Sequence, residues 1–111
     1  MQSSFPTATD SPLKVWFQRP EMDAILSHYG RMVASGVAKD YAIDMLPDRA
    51  VFAIYRRAAE APSWRIEKVP ALARKQGAYV VYGMAGQVLR RGHDLAQALR
   101  VLEAARIRVV K

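Results

Sequence analysis

YAIDMLPDRAVFAIYRR, residues 41 to 57, is where the pattern of apolar residues changes period. Up to Ser35 they recur at helical spacing; from Tyr41 they alternate. Tyr41, Ile43 and Met45 share one face, Pro47-Asp48-Arg49 supplies turn chemistry, and Ala50 to Arg57 is a β-branched and aromatic run. The reading is a β-hairpin, and it commits the rest of the chain to a sheet.

Upstream, Met22, Ile25, Leu26, Tyr29, Met32 and Val33 follow the i, i+3, i+4, i+7 rule and predict a helix from Arg19 to Ser35. Phe17 stands at staple distance before Met22. Glu21 completes the second half of a capping box whose first member, Gln18, is a weak cap residue. Gly36 offers the left-handed conformation that closes a helix.

Downstream, WRIEKV places Trp64 and Ile66 on one face and Arg65 and Glu67 on the other. AYVVY and QVLRR flank Gly83-Met84-Ala85-Gly86, the pattern of a second hairpin. In VLRRGHDLAQALRVLE, residues 88 to 103, a strand is expected to end in a turn at Arg90-Arg91-Gly92-His93. Leu95, Ala98, Leu99 and Leu102 then form the apolar stripe of a second helix. The predicted fold is therefore α+β: an N-terminal helix, about five antiparallel strands in one sheet, and a C-terminal helix, with both helices on one face.

Domain organisation follows from composition. The chain has 111 residues, 51% of them hydrophobic, which suits one domain with one core. Residues 1–14, rich in Ser, Thr and Pro, are expected to be a flexible tail, residues 15–106 the domain, and residues 107–111 a short C-terminal tail. The longest stretch without a charge, Gln76 to Leu89, is too short and too glycine-rich for a membrane span. The N-terminus does not read as a signal peptide. Cysteine is absent, which removes disulfides, zinc–thiolate sites and cysteine nucleophiles, and a cytoplasmic protein is expected.

Catalytic constellations are not evident. The two histidines, His28 and His93, lie in the first helix and at the Gly92–Asp94 corner, and no serine stands in a nucleophile elbow. Asp40, Asp44 and Asp48 recur every fourth residue in a region read as strand and turn, which is poor metal-ligand geometry. GMAGQV has neither a phosphate-loop lysine nor a third glycine. The expectation is a non-enzymatic protein with no cofactor and no metal.

Charge is more informative. The net charge is +7; residues 1–48 hold four basic and six acidic side chains, while residues 49–111 hold thirteen basic and four acidic ones. A basic half of this kind attracts polyanions. Arg56, Arg57, Arg65, Arg74, Lys75, Arg90 and Arg91 fall at strand ends, on the central strand or in the loop between strands, with Tyr55, Trp64, Tyr79 and Tyr82 nearby in sequence. Basic residues mixed with aromatics on a sheet suit low-specificity binding of nucleic acid. The alternatives left open are an acidic protein partner, and a dimeric interaction or regulatory module using a sheet edge or exposed aromatics. At the Arg90–His93 corner an anion cradle competes with a capped turn. The cap is preferred, because an Asp94 carboxylate would occupy the free helix N–H groups.

The segments YGRMVASG, DYAIDMLPDRAVFAIYRRA, RIEKVPALARKQGAYVV and LRRGHDLAQALRVL, taken in order, resemble the DUF2794 family, short bacterial proteins grouped as a domain of unknown function. The resemblance spans roughly residues 17 to 103 and implies a compact bacterial domain. It implies no activity, ligand or catalytic residue.

Overall fold

The computed structural model describes residues 14–57 and 61–110. The expected N-terminal tail lies outside the described residues except for Lys14. Helix α1 (Arg19–Ala34) is followed by β1 (Asp40–Met45), β2 (Ala50–Tyr55), β3 (Trp64–Lys68), a short 3-10 turn (Pro70–Leu72), β4 (Tyr79–Tyr82), β5 (Val88–Gly92) and α2 (Leu95–Val110). The strands form one antiparallel sheet in the order β1-β2-β3-β4-β5. The α+β architecture expected from the period change is the one observed.

Alternation sorts each strand into two faces. Phe52 and Ile54 of β2, Trp64 and Ile66 of β3 and Val81 of β4 look towards the helices and pack with Ile25 and Met32 of α1 and Leu95, Leu99 and Leu102 of α2. Both helices thus serve one side of the sheet. Helix α1 opens with Pro20 in its first turn and with the Gln18 N–H donating to Glu21 Oε1 at 2.6 Å. It closes through Gly36 N–H to Val33 O and Val37 N–H to Met32 O, a Schellman pair that carries Val37 into the core. Helix α2 opens on Asp94, whose carboxylate accepts the Ala96 N–H at 2.9 Å. A network of Arg31, Glu103, Arg106 and Ser35 ties α2 to the end of α1.

Three details differ from the sequence reading. Leu26 and Val33 of α1 fit the helical period but are exposed, because the core takes a narrower stripe centred on Ile25 and Met32. Arg90 and Arg91 are not in a turn: β5 runs through Gly92, since pairing with β4 continues to Tyr79↔Gly92. Helix α2 continues to Val110, past residue 106, because no glycine or proline stands between Leu95 and Val110 to end it.

Candidate nucleic-acid interface

The face of the sheet turned away from the helices is ordered by register into rows. One row reads Asp44, Val51, Glu67, Val80, Arg91 from β1 to β5; the next reads Ala42, Ala53, Arg65, Tyr82, Val88. Tyr55 lies one pair further along, opposite Asp40. Because strand order equals chain order, the charge asymmetry along the sequence becomes a lateral one: carboxylates on β1, guanidinium groups on β3 and β5.

At the centre, the Arg65 guanidinium carbon sits 4.7 Å from the centroid of the Tyr82 ring, a cation–π contact between directly paired residues. Arg65 Nε also donates to Glu67 Oε2 at 3.3 Å, and Arg49 Nη1 donates to Glu67 Oε1 at 2.6 Å. Glu67 is only 5% exposed, walled on either side by Val51 and Val80, so its charge is held between two guanidinium groups. Arg49 in turn contacts Asp48 at 3.1 Å, and its hydrogen bonds to Asp48 and Glu67 raise its pKa. Sequence reasoning did not find Arg49 or the depth of Glu67. The available signal was the register, which flanks Glu67 with two β-branched neighbours.

The seven cations singled out by sequence do not meet at one point. Arg65 and Arg91 share the open face. Arg90 pairs with Val81 and projects to the helix side, where it stays exposed. Arg56 and Arg57 follow β2 at one end of the sheet and line a cleft of about 210 Å³ with Ser63 and Met84. Arg74 and Lys75 lie at the other end, in the loop that follows the 3-10 turn. With strands of about five residues, those two ends stand roughly 17 Å apart. The cations are thus spread over both ends and both faces of the sheet and do not form a pocket; Arg56 also lines a hollow with Trp64, Leu89 and Ala105 on the helix side. Among the described residues no ion pair engages Arg56, Arg74, Lys75, Arg90 or Arg91. Arg91 Nη1 is buried without a hydrogen-bond partner.

The aromatics divide. Trp64 belongs to the core and Tyr79 packs against it, leaving Tyr55 and Tyr82, both half-buried, on the open face. On the helix side Tyr79 donates its hydroxyl hydrogen to Glu21, and Lys68 Nζ donates to Glu21 Oε1 and to the Trp16 carbonyl, each at 2.8 Å. Burial pushes the Glu21 carboxyl up, but the hydrogen bonds from Lys68, Tyr79 and the Gln18 N–H together hold it below its ordinary value. Burial and the bond to Glu21 push the Tyr79 hydroxyl up to about 12. These groups fasten α1 to the sheet and are absent from the basic face. His28 is held below its ordinary value by burial and by Arg31. Among the described residues no group of three or more His, Asp and Glu has metal-binding geometry, and no helix is long and apolar enough to cross a membrane.

A family model described as a protein of unknown function, DUF2794, matches residues 15–99, from the segment that enters α1 to the first turn of α2. The chain belongs to the DUF2794 family. No curated protein and no solved structure matches it. For this member of DUF2794 the chemistry of its own surface is therefore the guide to function.

Proposed function

We propose that the chain binds single-stranded nucleic acid, with little sequence preference, on the β3–β5 half of its open sheet face. What supports the reading is the Arg65–Tyr82 stack on a face that no helix covers among the described residues, continued by Arg91 and flanked at one end of the sheet by Arg74 and Lys75. Stacking on Tyr82 and Tyr55 tolerates any base, and the arginines answer phosphates. The carboxylates of Asp40 and Asp44 bar a polyanion from β1 and fix which half is used. The role is binding without catalysis, in the cytoplasm.

The test is anisotropy of a labelled generic oligonucleotide over a range of salt. Affinity should fall steeply with salt, and replacing Arg74 and Lys75 together by Ala should reduce the logarithmic slope by about one for each phosphate no longer neutralised. Tyr82→Ala should weaken binding by about 1–3 kcal/mol while leaving the slope nearly unchanged. Undetectable binding near physiological salt would refute the reading, and would turn the basic half towards an acidic protein surface.

A further inference from the structure

The opposite margin of the molecule is apolar. Trp16, Leu26, Val33, Tyr41, Ile43 and Leu46 are all among the exposed large hydrophobic residues: Tyr41 and Ile43 lie on β1, Leu46 just past its end, Trp16 on the entry segment beside it, and Leu26 and Val33 on the flank of α1 that bears Tyr29. Tyr41 is pinned, stacked on Phe52 at 4.9 Å and edge-on to Tyr29 at 5.0 Å, so this surface is preformed. Trp16, Phe17, Met22, Ile43 and Met45 line an apolar hollow of about 260 Å³ at its end.

The same margin is a strand edge, closed at one end by the Val15 N–H, which donates to the Leu46 carbonyl at 2.9 Å. Among the described residues β1 has a strand on one side only. The Leu46 N–H donates to the Arg49 carbonyl at 2.8 Å, and antiparallel pairing alternates, so Tyr41, Ile43 and Met45 direct their backbone groups outward. Accordingly the Tyr41 N–H finds its partner in the Asp40 side chain, at 2.8 Å.

We infer that this edge is a self-association surface, on which a second copy of the chain pairs antiparallel through β1 with Ile43 opposite Ile43. Electrostatics selects that register. A pair centred on Ala42 sets Asp40 opposite Asp44 twice, which is destabilising. Centring on Ile43 sets Asp44 opposite Ala42 and Asp40 opposite Leu46, and brings all three outward-facing residues of each copy into hydrogen-bonded positions. The exposed apolar side chains of two copies bury on the order of 1,000 Å² in total, the size at which a specific interface begins. The charged face of β1, which would deter an arbitrary strand, thus permits one register of self-pairing. This inference does not depend on the nucleic-acid reading: its apolar residues lie at the other edge, and the two share only Asp40 and Asp44.

Sedimentation equilibrium of the full chain over about 1–100 µM tests it. The expected mass is twice 12.4 kDa at the upper concentrations. Ile43→Lys and, separately, Val33→Lys should each weaken the dimer at least about 30-fold, as for a central interface residue, with circular dichroism unchanged. Met84→Lys, an exposed apolar residue on the distant β4–β5 turn, should leave it intact. A single-chain mass throughout would overturn the proposal, including the case in which residues 1–13 of the same chain cover the edge. So would a dimer indifferent to Ile43→Lys.

Discussion

Gly77→Ala should be among the most damaging single-methyl additions in this chain, and the structure says by how much. Gly77 has φ +101°, and a Cβ placed there would lie 2.2 Å from the Gly92 carbonyl carbon and 2.3 Å from its oxygen. Those are backbone atoms, so no rotamer change relieves the clash. The loop bearing Arg74 and Lys75 must instead move off the end of β5. That movement strains the Gly77 N–H bond to Leu72 O, at 3.0 Å, and the Val69 N–H bond to Ala78 O, at 2.7 Å. Losing both costs about 2 kcal/mol, and the positive φ adds roughly 1–2 kcal/mol, for a total near 3–4 kcal/mol. Gly86 isolates the steric part: its φ is +83°, yet nothing lies within 4 Å of the position its methyl would take, so Gly86→Ala should cost only the roughly 1–2 kcal/mol of backbone strain. Urea unfolding followed by far-UV circular dichroism, with the slopes compared, measures both losses. If Gly77→Ala proved no worse than Gly86→Ala, the close approach to Gly92 would not be a constraint and the argument would fail.

Leu99 is fully buried where α2 meets the sheet, and Leu99→Ala should cost about 2–5 kcal/mol in denaturant melts; a loss under about half a kilocalorie would mean that the two helices do not share this core. Stability should also depend on Glu21 in one pH window. Its folded pKa is below the ordinary 4.5, so its contribution is complete above that value and disappears as pH falls through the lowered one. The gap in urea midpoint between the native chain and Glu21→Gln should therefore be widest near neutrality and close in acid. A gap that widened in acid would reverse the sign and refute the pairing with Lys68 and Tyr79.

Local pattern made the elements legible. The alternation of Trp64, Arg65, Ile66 and Glu67 gave a strand and assigned its faces, and Asp94 before Leu95 gave a helix start that the Ala96 hydrogen bond bears out. What depended on register was not legible. Glu67 finds Arg49 18 residues away, and Glu21 finds Lys68 and Tyr79 at 47 and 58 residues, distances at which no sequence period operates. The basic set was visible as a set, and alternation alone sends Arg90 and Arg91 to opposite faces, but which cations stand at which end of the sheet follows from strand lengths and pairing. Leu26 and Val33 satisfied the helical period because a period reports a face, whereas the width of the buried stripe depends on what packs against it.

The order of the strands also has a kinetic meaning. Each pairs with its successor, and the outermost pairs of the four hairpins, from Asp40↔Tyr55 to Tyr79↔Gly92, join residues fewer than twenty apart. Arg106 and Ser35, by contrast, are 71 residues apart, and Arg31 and Glu103 are 72 apart. Closing a chain about five times longer costs roughly 1.4 kcal/mol more in loop entropy, so the sheet can zip up by local steps before the two ends of the chain are drawn together. On this order the contacts between α1 and α2 should form late, and weakening them, as by Arg106→Ala, should speed unfolding more than it slows refolding in stopped-flow measurements.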